Sequence, residues 1–317
     1  MTRRLLVILS LLLFTFGAAR ASAQLKKISF AVGSISQVEA PFNLAKLKGF
    51  YREEGLDVDI ILIRGALGVQ ALVGGSVDYS SSSGSVVAAG VRGLGVKLLM
   101  MIYSRPQFDL VSRPEIRSIP QLKGKTIGIS SRGGAVDLLT QLILTQNGVT
   151  PHKDATLIVI GAQEEMMIAL KTGKIAAALF TAPRHLMLYR EGFTELAYAG
   201  DYMSTYPTGG IGTTEEKIRR EPAEVFGFIR ASLKGIQYYK RNRAESIDFL
   251  SKHLNIKDPS LAAQTYDHSV GRLAATGFEG EPWMNGAIEF TKKSLNVTKD
   301  ISPSQVFDFS FVEKAAR

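Results

Sequence analysis

The sequence predicts an α/β protein built from two successive strand–helix units and closed by a helical C-terminal region. Three observations carry this. Short apolar strands alternate with amphipathic helices from residue 27 onward, the alternation restarts near residue 109, and beyond Thr214 only helical periodicity remains. Strands that alternate with helices argue for mainly parallel sheets with helices on their faces.

The first unit opens on Lys27-Ile28-Ser29-Phe30-Ala31-Val32, an alternating strand broken at Gly33-Ser34. Pro41 sits near the start of a helix carrying Phe42, Leu44, Ala45 and Leu47, which stops at Lys48-Gly49, a basic residue and then glycine. Phe50–Gly55 is a helical turn. Leu56–Ile63 alternates at first and is then wholly apolar, as in a strand entering a covered sheet. Ala66–Val73 is a helix stopped by Gly74-Gly75, Val77–Ser80 a short strand, Val86–Val91 a helix and Val96–Tyr103 a strand. The second unit begins with the strand Asp109–Arg113 and a helical turn at Ile119–Gly124. Strands are expected at Thr126–Ile129, Thr156–Ile160, Ala176–Phe180 and Glu195–Ala199, and helices at Ala135–Gln146, Gln163–Lys171 and Leu186–Arg190. Helices then run from Pro222 through Tyr239, Arg243 to His253, Pro259 to Ala274 and Asn285 to Ser294.

The start of the chain has the three-part grammar of a secretory leader. Arg3-Arg4 is a positive n-region, Leu5 to Gly17 an apolar stretch, and Ala21-Ser22-Ala23 a small-residue cleavage site. The apolar stretch is shorter than the roughly 20 residues of a spanning helix, and Arg20 interrupts it. The 317 residues include no cysteine, which excludes disulfides, thiol nucleophiles, cysteine-held metals and a lipid-modified cysteine after the leader. The expectation is therefore release into the periplasm after cleavage behind Ala23, without a lipid anchor. The net charge is +9, with both signs interspersed and no dense basic stripe, which argues against nucleic acid as a partner.

Four stretches together resemble periplasmic binding proteins of the nitrate, sulfonate, taurine and thiamine-pyrimidine type. They are Lys48-Gly49-Phe50-Tyr51-Arg52-Glu53-Glu54-Gly55-Leu56-Asp57-Val58, Leu72-Val73-Gly74-Gly75-Ser76-Val77-Asp78-Tyr79, Leu122-Lys123-Gly124-Lys125-Thr126-Ile127-Gly128-Ile129-Ser130 and Ala169-Leu170-Lys171-Thr172-Gly173-Lys174-Ile175-Ala176-Ala177. They fall in the family's order over nearly all of the chain past the leader. The resemblance implies a type II periplasmic binding protein fold of two α/β lobes. Residues 1–23 would be the signal peptide, 24–112 plus 214–317 lobe I, and 113–213 lobe II. The hinge crossings would fall near Phe108–Arg113 and Gly209–Thr213, with the ligand in the cleft between lobes.

The residues themselves select the same region, because ligands of α/β sheets sit beyond the carboxyl ends of parallel strands, where helix N-termini point. Four loops qualify. They contribute Ser34, Ser36 and Gln37; Ser81, Ser82 and Ser83; Ser131, Arg132, Gly133, Gly134 and Ala135; and Thr181, Pro183 and Arg184. Small residues let a ligand approach the backbone, first-turn N–H groups have no partner in their own helix, and serine hydroxyls add short hydrogen bonds. Arg132 and Arg184 are candidate planar clamps, Phe42, Phe108 and Tyr206 candidate walls, and Glu164 a further polar candidate.

These features point to a monomeric, non-enzymatic receptor that needs no cofactor or metal. It takes a small polar or anionic organic molecule of the sulfonate, nitrate or carboxylate class and hands it to the permease of an ABC importer in the inner membrane. A membrane sensor would use the same outer faces. A pyrimidine-precursor receptor is the alternative ligand class. The rival activity is a pyrimidine synthase for thiamine, which in that family consumes its own histidine and bears a cysteine-rich motif. The four histidines here, His152, His185, His253 and His268, show no metal spacing, and only His185 falls near a cleft loop.

Overall fold

A computed structural model describes residues 24–317 apart from Arg64 and Ala275. The leader, with its cleavage point, lies outside the described residues. No helix among the described residues is long and apolar enough to cross a membrane.

Two five-stranded sheets organise the chain. The first holds β1 (Lys26–Val32), β2 (Leu56–Leu62), β3 (Tyr79–Ser80) and β4 (Val96–Tyr103), with helices α1 (Ala40–Leu47), α2 (Phe50–Glu53), α3 (Ala66–Val73) and α4 (Ser83–Val91) between them. The second holds β5 (Asp109–Ser112), β6 (Thr126–Ile129), β7 (Thr156–Val159), β8 (Ala177–Phe180) and β9 (Thr194–Tyr198), with α5 (Ala135–Gln146), α6 (Gln163–Lys171), α7 (Arg184–Arg190) and the short α8 (Ala199–Tyr202). Strand β10 (Thr208–Thr214) returns to the first sheet, in the order β2-β1-β3-β10-β4, and the second sheet reads β7-β6-β8-β5-β9. In each sheet β10 or β5, the strand arriving from the other unit, runs antiparallel to both neighbours.

The chain therefore passes between the sheets within 104–108 and again within 203–207. The expected crossings at Phe108–Arg113 and Gly209–Thr213 are instead mostly strand β5 and strand β10. Residues 208–214 did not read as a strand because three glycines, a residue depleted in strands, interrupt Thr208-Gly209-Gly210-Ile211-Gly212. Packing is what requires the glycines. A Cβ on Gly210 would lie 2.3 Å from the carbonyl oxygen of Met100, and one on Gly212 would lie 2.6 Å from Val86.

The remaining helices are α9 (Glu215–Arg220), α10 (Pro222–Arg241), α11 (Arg243–His253), α12 (Pro259–Val270), α13 (Glu281–Leu295), α14 (Pro303–Val306) and α15 (Ser310–Ala316). The two last short helices lie beyond the final helix that periodicity suggests. Helix α10 starts on Pro222, carries Glu224 in its first turn and Lys240-Arg241 in its last, and buries Val225, Phe228, Ile229, Leu233, Ile236 and Tyr239 along one stripe. Phe228 stacks on Tyr79 at 4.0 Å and on Tyr51 at 5.2 Å, while Phe30 meets Phe42 edge-on at 5.1 Å. Phe42 is thus a core residue and not a cleft wall. In the second sheet, alternation along β5 and β8 sends Leu110 and Leu179 to one face and Val111, Ala178 and Phe180 to the other, each under its own helices.

The two units also meet along a seam. Leu186 and Met187 of α7 pack near Ile256 and Leu261, at the start of α12. Arg190 pairs with Asp258 and donates to Ser260 at 3.0 Å and Gln264 at 2.9 Å.

Candidate functional site

Between the sheets lies a cleft of about 430 Å³. Its walls are the starts of helices. Five helices of eight or more residues begin on it: α1 at Glu39, α3 at Gly65–Leu67, α4 at Ser82–Ser85, α5 at Gly134–Val136 and α6 at Ala162–Glu164. Each follows a strand, so its first turn points past the carboxyl end of that strand, and its leading N–H groups have no partner within the helix. Positive helix ends from both sheets therefore face a shared space.

Of the residues expected at the site, Ser34, Ser36, Ser81, Ser82, Ser83, Ser131, Arg132, Gly134, Ala135, Thr181 and Arg184 line this cleft, as do Phe108, Tyr206 and Glu164. Gln37, Gly133 and Pro183 do not. Gln37 turns inward and is 1% exposed. Gly133 forms the turn before α5 at φ +68°, and its N–H is taken by Asp137 Oδ2 at 2.8 Å. Pro183 caps α7 between Thr181 and Arg184, which do reach the wall.

Neither arginine is an idle clamp. Arg132 donates to the carbonyl of Leu157 at 2.8 Å, which ties it to β7. Arg184 pairs with Glu164 on its own side and reaches across to the carbonyl of Ile35 at 3.4 Å. Apolar surface at the cleft comes from Ile35, Val38, Leu62, Leu67, Phe108 and Tyr206. Tyr206 is buried and sets its ring edge-on to Phe290 at 5.8 Å. Its hydroxyl rests against the start of α4, where a Cβ on Gly84 would come within 2.1 Å of it.

The residue that loop chemistry missed is Glu39. It is 4% exposed, lines the cleft and leaves its own helix uncapped. Ser81 Oγ donates to its Oε1 at 2.8 Å, and Ser81 Oγ accepts the N–H of Gly33 at 3.2 Å. Burial pushes this carboxyl up to about 8, against the opposing pull of Ser81 and the Gly33 N–H. A glutamate beside a helix start reads in sequence as ordinary dipole compensation, and only the fold reveals that it is enclosed. The α3 start and Gly161–Gln163 were missed for a related reason, since neither has the serine-rich signature of the other loops.

Among the described residues no histidine lines the cleft. His185 and His268 sit with Asp109 at the seam between the units, His185 Nδ1 lying 3.3 Å and His268 Nε2 4.0 Å from Asp109 Oδ2. Burial, with Arg272 nearby, holds His185 down at about 3 and His268 at about 4. Both imidazoles are uncharged at neutral pH.

The two crossings are tied together by the one tryptophan. Trp283 of α13 donates its Nε1–H to the carbonyls of Ser104, at 3.0 Å, and Ser204, at 3.2 Å. One shared hydrogen thus bridges the two segments that any change of lobe angle must move.

Known proteins agree with this architecture. The riboflavin-binding protein RibY of Chloroflexus aurantiacus is 27% identical over 318 residues, covering 93% of this chain and 88% of that protein. The alkanesulfonate-binding protein SsuA of Xanthomonas axonopodis, solved with MOPS, superposes with a TM-score of 0.72 at 16% identity, over 91% of this chain and 97% of that one. The periplasmic nitrate-binding protein NrtA of Synechocystis superposes with the same score, 0.72, at 15% identity, over 92% of this chain and 89% of that one. These structural likenesses establish the periplasmic binding protein fold. The NMT1/THI5-like family model matches residues 37–246, from the first cleft loop into α11, and the chain belongs to that family.

Proposed function

We propose that this protein is an extracytoplasmic solute-binding protein that captures a small organic molecule with a polar or anionic end and delivers it to an ABC importer. The observation that carries this is the convergence of five helix starts, from both sheets, on one cleft. Such ends bind oxygen-bearing groups through free N–H donors and dipole field. Ser34, Ser81, Ser82, Ser83, Ser131 and Thr181 supply adaptable hydroxyls beside them.

The cleft volume sharpens the ligand. About 430 Å³ lies within the range of sites for drug-sized molecules, well beyond the need of a bare inorganic anion. Apolar contacts from Phe108, Tyr206, Leu62 and Leu67 suit an organic body behind the polar end. A heterocycle, such as a pyrimidine precursor or a flavin, is the second reading, supported by that volume and by the name of the Chloroflexus relative. A receptor role is favoured over the synthase type because the cleft wall carries no histidine among the described residues, and the chain has no cysteine.

Trp283 supplies the test, because its bond to both crossings makes its emission sensitive to their movement. Titration with sulfonates, carboxylates, nitrate, pyrimidines and riboflavin is expected to give a saturable change in tryptophan emission with one class. Folded, ligand-free protein that responds to none of them would contradict the proposal.

A further inference from the structure

Glu39 Oε2 has no hydrogen-bond partner, although the atom is almost entirely withdrawn from solvent on the cleft wall. Thr208 Oγ1, on the same cleft, is buried without a partner as well. An unsatisfied buried polar atom costs on the order of 1–3 kcal/mol, so two on one wall mark a place that another molecule completes. No cation compensates the carboxyl, since Glu39 takes part in none of the ion pairs among the described residues. The titratable groups that sense it are Tyr51 of α2 and Tyr103 of β4, both buried phenols, and the groups that act on its carboxyl are Ser81 and the N–H of Gly33.

We infer that Glu39 stands in the cleft as an uncharged carboxylic acid and donates its hydrogen from Oε2 to an acceptor atom of the solute, a carbonyl, ring nitrogen or acid oxygen, with Thr208 beside it. This rests on the solute-binding reading and adds to it the chemistry of one ligand edge. An acid that must keep its hydrogen to bind couples capture to pH. It also selects against cationic amines, which would find a donor where they need a carboxylate. The direction fits the burial of Glu39, which keeps its proton up to about pH 8. The field of five helix starts would further discourage a cationic solute.

Two measurements separate this inference from the function it rests on. The first needs no solute. The infrared difference spectrum of wild type minus Glu39→Gln at pH 6.5 is expected to show the carbonyl stretch of a protonated, enclosed carboxyl group, the contribution of Asp109 being common to both proteins and cancelling. Its absence from that difference would overturn the inference, whatever the cleft binds. The second uses MOPS, riboflavin and nitrate as probes between pH 6 and 9.5, with circular dichroism confirming that each variant is folded. For a probe that binds, wild-type affinity is expected to fall about tenfold per pH unit above pH 8. Glu39→Gln, whose amide also donates, should bind with no such slope, and Glu39→Ala should bind at least tenfold more weakly at pH 6.5. A wild-type affinity that rises with pH, or an identical slope in Glu39→Gln, would overturn the inference. Failure of all three probes with the infrared band present would count against the solute-binding reading for these classes and leave the protonated acid established.

Discussion

Gly210→Ala is expected to destabilise the protein by about 3 kcal/mol or more, at the upper end of what overpacking costs. The added Cβ would lie 2.3 Å from the carbonyl oxygen of Met100 and 3.2 Å from the Cα of Met101. Both are main-chain atoms of β4, so no side-chain rotation relieves the contact. Strand β10 pairs with β4 along nearly its whole length and joins β3 to β4 within the sheet. Prying it away would part β4 from the rest of the first sheet and move the second crossing. Gly280→Ala is the control, because the nearest atom to its Cβ is 3.7 Å away; the weaker cap that alanine makes for α13 and the narrower unfolded chain oppose each other, so it should shift stability by about 1 kcal/mol or less. Denaturant midpoints of the two variants check this. A Gly210→Ala protein as stable as the control would mean that β10 is not packed as described.

Glu39→Gln is expected to raise stability at neutral pH and to remove a pH dependence. In the folded protein Glu39 holds its proton to about pH 8, whereas in the unfolded chain it releases it near 4.5. Unfolding therefore releases a proton throughout that window, and wild-type stability falls as pH rises across it, by about 1.4 kcal/mol per pH unit. The loss is complete once pH exceeds the folded value. Glutamine has no proton to release, so the variant should gain steadily on the wild type from pH 5 to pH 8. Asp109, raised to about 7 by burial, acts in the same sense, while the buried neutral His185 and His268 lower stability as pH falls below 6.5. Those three groups are common to both proteins, so the difference between their denaturation curves isolates Glu39. A constant difference across the window would show that Glu39 is ionised in the fold.

Much of this was legible from residue order. The alternation of strands and helices, the glycine stops at Gly49 and Gly74-Gly75, and the serine-rich starts of α4 and α5 reflect local rules that the fold keeps. What was not legible depends on contacts distant in sequence. Strand β10 looks like a loop because its glycines answer to Met100 and Val86, more than a hundred residues away. Gln37 looks like a loop residue facing a ligand, yet its side chain is turned into the interior. Glu39 looks like a solvated helix start, and its enclosure comes from Ser81, 42 residues on. Arg132 and Arg184 look like open clamps, and main-chain carbonyls of Leu157 and Ile35 already hold them.

The central claim is that one solute is held between the two sheets by helix starts of both. It is tested most directly by recovering whatever co-purifies with the native protein, identifying it by mass spectrometry, and returning it to three proteins in a calorimeter. The wild type should bind it one to one. Gly84→Ala, which drives a methyl into the Tyr206 hydroxyl, and Ala135→Phe, which fills the opposite wall, should each weaken binding at least tenfold while remaining folded. Equal affinity in all three proteins would place the solute elsewhere and contradict the claim.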